Sequence, residues 1–204
     1  MNILHVSCSP RGPASESSRL ARNIIERLLN REPSAQVVTR LVSGENLPHV
    51  DGSYATSQQS TADVSEGGSL ALSDQLIAEV EQADVLVIST PMHNFSLPSA
   101  LKAWIDHVAR VRRTFTISAQ GKAALLPDRP VFIAIASGGR FSGERARQPD
   151  YLTPYLRDVL SMIGLHDLRL FSVQGTAMGP QAIDEARNQA DEALHAHFAS
   201  ARHA

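Results

Sequence analysis

Asp84-Val-Leu-Val-Ile-Ser-Thr-Pro91-Met-His-Asn-Phe-Ser-Leu-Pro98, continued by Ser99-Ala-Leu-Lys-Ala-Trp104-Ile-Asp106, decides the fold of this chain. The apolar run over residues 85–89 does not alternate with polar residues, which marks a strand buried on both faces. It stops at Pro91, turns through a short polar-aromatic loop and enters a helix at or near Pro98, where a missing N–H is harmless. Leu101, Trp104, Ile105 and Val108 then recur at helical spacing, which places a helix over residues 98–110. Such a loop lies at the carboxyl edge of an α/β sheet, where open sheets of this kind bind their ligands.

The alternation of strand and helix runs through the rest of the chain. Strands are expected at residues 3–6, 36–41, 130–136 and 166–173. Helices are expected from the face carrying Leu20, Ile24 and Leu28, ending before Pro33, and over residues 70–80, 152–163 and 181–198. Residues 114–129 read as irregular, with Phe115 and Ile117 extended. The polar, turn-rich run 43–68 is too long for an ordinary connection and is either an excursion over the site or a mobile segment. Five strands separated by helices imply an α/β, flavodoxin-like, doubly wound parallel sheet of order 2-1-3-4-5, with helices on both faces and right-handed crossovers. The chain reads as one domain over residues 1–204.

Composition bounds the function. At 204 residues, 43% hydrophobic and 20% charged, the chain can build a full core. A net charge of −2 and 5% aromatic residues leave no footprint for nucleic acid or for an acidic membrane surface. One cysteine, Cys8, excludes an intrachain disulfide and a multi-cysteine metal site. No basic leader, long apolar core or membrane-length run is visible, so a cytoplasmic location is expected. His195 and His197, two apart on a helix, cannot face one metal and read as a solvated helix end. Trp104 reads as core or as a contact between subunits.

Three loops carry candidate chemistry. After the first strand, Ser9, Ser15, Glu16, Ser17 and Ser18 lead into a helix N-terminus, where hydroxyls and unpaired N–H groups form an anion site. Plain N-capping by Ser15 or Ser17 is the alternative. A phosphatase loop of the Cys-x5-Arg type fails because the position six after Cys8 is Ala14. A nucleotide P-loop fails for want of Lys-Ser/Thr, and a dinucleotide fingerprint for want of Gly-x-Gly-x-x-Gly. The second loop is Pro91-Met92-His93-Asn94-Phe95, and the third is Ser137-Gly138-Gly139-Arg140, whose glycines let backbone N–H groups approach a flat ring. With strand order 2-1-3-4-5 the three loops are neighbours. A monoester-phosphate loop beside two ring-sized loops describes a flavin mononucleotide site.

Ser9, Ser15-Glu16-Ser17, Pro91-Met-His-Asn-Phe95, Ser137-Gly-Gly139 and Tyr151-Leu-Thr-Pro-Tyr155-Leu followed by Ile163-Gly164 resemble the FMN-dependent NADH azoreductases, also called NADH:quinone oxidoreductases. The resemblance covers nearly the whole chain, including Ala71-Leu-Ser-Asp-Gln-Leu-Ile77. It implies a homodimer with one tightly bound FMN per subunit near the interface. NADH is then the donor, and quinones and aromatic azo compounds are reduced by two-electron ping-pong hydride transfer. It implies that Ser9, Ser15, Glu16 and Ser17 hold the phosphate, while Met92, His93, Asn94, Phe95, Ser137, Gly138, Gly139 and Arg140 line the ring. No side-chain acid or base is expected to be indispensable, because the flavin carries the chemistry. Backbone N–H groups of Gly138 and Gly139, with Arg140 if it turns inward, would stabilise negative charge on the ring. Three departures stand out: His93 where the family has tyrosine, Ser-Gly-Gly-Arg in place of Ser-Arg-Gly-Gly, and Ile117 where an aromatic residue is usual. The first and third bear on substrate preference. A flavodoxin-type electron carrier shares the fold, but such carriers are strongly acidic, and a charge of −2 disfavours that reading.

Overall fold

The computed structural model describes residues 1–43, 45–59 and 68–200. Five strands, β1 (Asn2–Ser7), β2 (Gln36–Leu41), β3 (Val85–Pro91), β6 (Val131–Ser137) and β7 (Leu168–Gln174), form one sheet in the order β2-β1-β3-β6-β7, every neighbouring pair parallel. Counted within this sheet, the order is the expected 2-1-3-4-5. A short antiparallel hairpin, β4 (Phe115–Ser118) and β5 (Gly121–Ala124), stands apart from it: the extended Phe115 and Ile117 lie in β4, and the run 114–129 holds a second strand where irregular chain is expected.

The side-chain alternation of the strands divides the interior into two cores. Leu4, Val6, Leu86, Ile88, Val131, Ile133 and Ile135 face one way, against α3 (Gly68–Gln82), α4 (Ser99–Val108) and α5 (Thr153–Met162). Ile3, Val85, Val87, Phe132, Ala134 and Val173 face the other way, against α1 (Glu16–Arg31) and α6 (Pro180–Ser200). The chain leaves β1 for β2 on one side and returns to β3 on the other. The switch point therefore lies between β1 and β3, at their carboxyl ends.

Several sequence expectations shift at this level. Pro98 caps α4 from outside with extended backbone (φ −61°, ψ 148°) instead of opening its first turn. The helix stops at Val108, short of Arg110, because Thr114 Oγ1 takes the Arg110 N–H at 2.9 Å and donates to the Val108 carbonyl at 2.7 Å. Trp104 is a core residue. His197 is not a solvated helix end: its ring packs edge-on against Phe132, Phe171 and Phe198, and burial lowers its pKa. Within the long run 43–68, residues 52–59 form a helix, α2 (Gly52–Gln59). It is pinned by the Tyr54 hydroxyl, which donates to the Asp106 carbonyl at 2.9 Å, and by an Asp51 carboxylate that accepts the Tyr54 N–H at 2.8 Å. Residue 44 and residues 60–67 of that run lie outside the described residues.

Candidate functional site

At the carboxyl edge, β1 ends at Ser7 beside Ser89, β3 runs two residues further to Pro91, and Pro91 lies beside Ala136, next to the last residue of β6. The chain leaves β1 through a 3-10 turn (Gly12–Ala14), with Gly12 at φ +54°, and Ser15 then caps α1, its Oγ accepting the Ser18 N–H at 3.2 Å. The hydroxyls of Ser15 and Ser18 gather on the Gly12 carbonyl at 3.0 and 2.9 Å, and Ser17 Oγ lies 3.3 Å from Ser15 Oγ. These three serines are buried, while Ser9 is half-exposed. The cap satisfies one donor of the first helical turn. The N–H groups of Glu16 and Ser17 have no partner among the described residues, which leaves the anion site of a helix N-terminus intact. Capping and anion binding are thus compatible uses of one loop. The Glu16 carboxylate is engaged elsewhere: the Arg187 guanidinium of α6, with Arg19 beside it, holds it below the usual carboxylate range.

The second loop is a tight two-residue turn. His93 and Ser96 exchange backbone hydrogen bonds of 2.8 and 2.9 Å, and between them Asn94 and Phe95 both take left-handed conformations, φ 48° and 69°. Positive φ at both central positions defines a type I′ turn. For phenylalanine this conformation costs about 1–2 kcal/mol, strain of the kind that collects at binding sites. The turn leaves the N–H groups of Asn94 and Phe95 without partners among the described residues and Phe95 44% exposed. Its far side is anchored by the Tyr151 N–H to the Phe95 carbonyl, 2.9 Å. Met92 is buried and continues the β3–β6 pairing through its N–H to the Ala136 carbonyl at 2.8 Å, whereas the His93 side chain is exposed.

The third loop is tied down through its carbonyls. Those of Ser137, Gly138 and Gly139 accept N–H groups of Gly175, Thr176 and Ala177, from the connection between β7 and α6. Each trans peptide places the next residue's N–H opposite its carbonyl. The N–H groups of Gly138, Gly139 and Arg140 accordingly point to the other side of the turn, and they have no partner among the described residues. The Arg140 side chain follows the carbonyls instead: a Cβ at Gly175 would stand 3.3 Å from its Nε. Its guanidinium lines a cavity of about 580 Å³ between β7 and α6, together with Phe171 and Gln189. None of Met92, His93, Asn94 and Phe95 reaches that cavity, and its two arginines (Arg140, Arg145) and two glutamates (Glu144, Glu185) cancel in charge.

One participant is absent from the sequence reading. Gln148, in the irregular run before α5, places its Nε2 3.1 Å from Ser137 Oγ and 3.1 Å from Met92 Sδ. No periodicity or motif marks it, because the contact joins positions 11 and 56 residues apart. Beneath the site, buried His5 meets Ser89 Oγ at 2.9 Å, and burial lowers its pKa to about 4, so it is a neutral hydrogen-bonding group near neutral pH. Burial also pushes the Cys8 thiol well above its usual range. Among the described residues no cluster of His, Cys, Asp or Glu could hold a metal, and no helix is long and apolar enough to cross a membrane.

Three loops whose N–H donors lack partners among the described residues thus follow β1, β3 and β6, neighbours in a parallel sheet of order 2-1-3-4-5. Residues 1–198 match the family described as flavodoxin-like fold, and the chain belongs to it. Within that fold, its relatives include FMN-dependent NADH:quinone oxidoreductase 4 of Pseudomonas fluorescens, 44% identical over 193 residues, covering 95% of this chain and 93% of the relative. FMN-dependent NADH:quinone oxidoreductase 5 of Burkholderia lata is 45% identical over 188 residues, 92% of each chain. An azoreductase from Bacillus anthracis superimposes with a TM-score of 0.84 over 97% of this chain and 98% of its own, at 20% identity, a likeness of fold.

Proposed function

We propose that the protein is an FMN-dependent NADH:quinone oxidoreductase that also reduces aromatic azo compounds, working in the cytoplasm, where NADH is available, as a homodimer of single-domain subunits. The observation that carries this reading is the set of unpaired donors on three adjacent loops, on a chain 44% identical to a quinone oxidoreductase over 95% of its length. The residues fit the cofactor. A phosphate monoester suits the α1 N-terminus with the Glu16 and Ser17 N–H groups and the Ser9 hydroxyl, held in place by the Ser15–Ser18 cluster. A flat ring suits a slot whose walls are backbone at Asn94–Phe95 and Gly138–Gly139.

When bound, FMN supplies the two-electron chemistry, accepting hydride from NADH and passing electrons on to the quinone or azo acceptor. The chain's own part is positioning and charge. Gly138, Gly139 and Arg140 aim three N–H groups one way, a fixed dipole cradle for negative charge that needs no reorganisation when charge arrives. The contribution of Arg140 is its N–H, since its guanidinium lies on the opposite side of the turn. Asn94 and Phe95 orient the ring edge with their N–H groups, and the Phe95 ring offers a face for a flat acceptor. His93, exposed at the mouth, shapes the pocket where the family carries tyrosine.

The experiment is a visible spectrum of the purified protein with added FMN, then NADH, then a benzoquinone. Flavin bands that bleach with NADH and return with quinone are expected. A protein that stays colourless with excess FMN overturns the reading, and bleaching without reoxidation by quinone favours an electron carrier.

A further inference from the structure

The two walls of the slot arise from adjacent strands, yet strand pairing between β3 and β6 ends at Pro91 and Ala136, with one more bond from the Met92 N–H. Beyond that point the polar contacts joining Met92 to the third loop, among the described residues, are those of two side chains. Ser137 Oγ lies 3.7 Å from Met92 Sδ, and the Gln148 carboxamide touches both. The other end of that carboxamide faces the third loop again. A Cβ added to Gly139 would overlap the Gln148 oxygen and stand 2.8 Å from its Cδ. Gly139 does not have a left-handed φ, so glycine is needed there for space and not for conformation. One half-buried side chain thus stands within reach of Met92, Ser137 and Gly139 together.

We propose that Gln148 is a positioning residue, a clamp that fixes the distance between the Met92–Phe95 wall and the Ser137–Arg140 wall and thereby the gauge of the ring slot. The proposal rests on the FMN reading of that slot. Gln148 makes one ordinary hydrogen bond and one weak bond to a thioether, too little to govern global stability. Placement is another matter: displacing a binding wall by about 1 Å can cost on the order of a hundredfold in function. The effect of losing Gln148 therefore falls on the slot and not on the melting temperature.

The test is a double-mutant cycle of Gln148→Ala and Gly139→Ala, read by FMN fluorescence titration, by the bound-flavin spectrum at saturating FMN, and by hydrogen exchange of the cofactor-free protein. Each single variant is expected to weaken FMN binding about tenfold, the loss of one useful hydrogen bond. The double variant should be no weaker than Gly139→Ala, because the new methyl has already evicted the carboxamide. Saturated Gln148→Ala should show flavin bands shifted towards those of free FMN, and exchange should quicken at residues 92–95 and 137–140 together, with an unchanged Tm. Additive losses near a hundredfold, or quickened exchange confined to the neighbours of Gln148, overturn the clamp. If the wild-type protein takes up no FMN, the function proposed above fails. The exchange data then still decide whether Gln148 ties the two loops together.

Discussion

His5 sits under the switch point, and its burial sets a pH dependence. Its pKa falls from 6.5 to about 4 on folding. Between those values the unfolded chain takes up a proton that the folded chain refuses. The contribution of His5 is therefore complete above pH 6.5 and declines as the pH falls, by about 1.4 kcal/mol per pH unit, until it levels off near pH 4. His5→Gln keeps a hydrogen bond to Ser89 and removes the proton linkage. Urea unfolding at pH 7 and pH 5 should show the acid-induced loss of stability reduced by about 2 kcal/mol in the variant. An equal loss in both proteins would place the linkage on other groups. Phe95 presents the opposite case, a residue under strain at φ 69°. Phe95→Gly relieves that strain and is expected to raise stability by roughly 0.5–1 kcal/mol, a Tm gain of about 1–4 °C, while raising the KM for quinones through loss of the ring. A lower Tm would mean that packing of the ring outweighs the strain.

Among the elements, α1 does most to join fold and site, since one serine both starts the helix and organises the loop before it. Ser15→Ala removes the cap and is expected to destabilise the protein by about 1 kcal/mol in chemical denaturation. It should also weaken FMN binding, whereas Ser15→Thr retains both properties. A Thr variant as impaired as the Ala variant would separate the hydroxyl from these effects. The elements also show what a sequence discloses. The buried strands β1, β3 and β6 and helix α4 were legible because burial on both faces, or on one helical stripe, leaves an apolar period in the chain. The helix α2 was not, since of Gly52-Ser-Tyr54-Ala-Thr-Ser57 only Tyr54 and Ser57 are buried. Of the β4–β5 hairpin, the extended Phe115 and Ile117 were legible and β5 was not, for the same reason: most of the hairpin's residues face solvent, so no buried face imposes alternation. In the site, the glycines and serines of the three loops were visible as residue types. The direction of the Arg140 side chain and the presence of Gln148 depend on how loops meet in space, which no local pattern encodes.

For the molecule as a whole, the loops at the carboxyl edge and the β4–β5 hairpin leave apolar side chains exposed. Phe95 and Tyr151 are 44% and 63% exposed and joined by a backbone hydrogen bond, and Ile117 is 63% exposed on the hairpin. Exposed apolar groups beside a binding site favour a second copy as cover. Sedimentation at micromolar concentration is expected to give twice the monomer mass, and Tyr151→Glu to shift it towards the monomer. A wild-type protein that sediments as a monomer would count against the homodimer. Cys8 adds a last consequence at this scale. Quinones are electrophiles that alkylate thiolates, and an enzyme that turns them over meets them continually. The chain's single sulfhydryl stands one residue from Ser9, but it is 1% exposed and its burial disfavours the reactive thiolate. Under the proposed function, that burial is expected to keep the thiol from alkylation by quinone substrates.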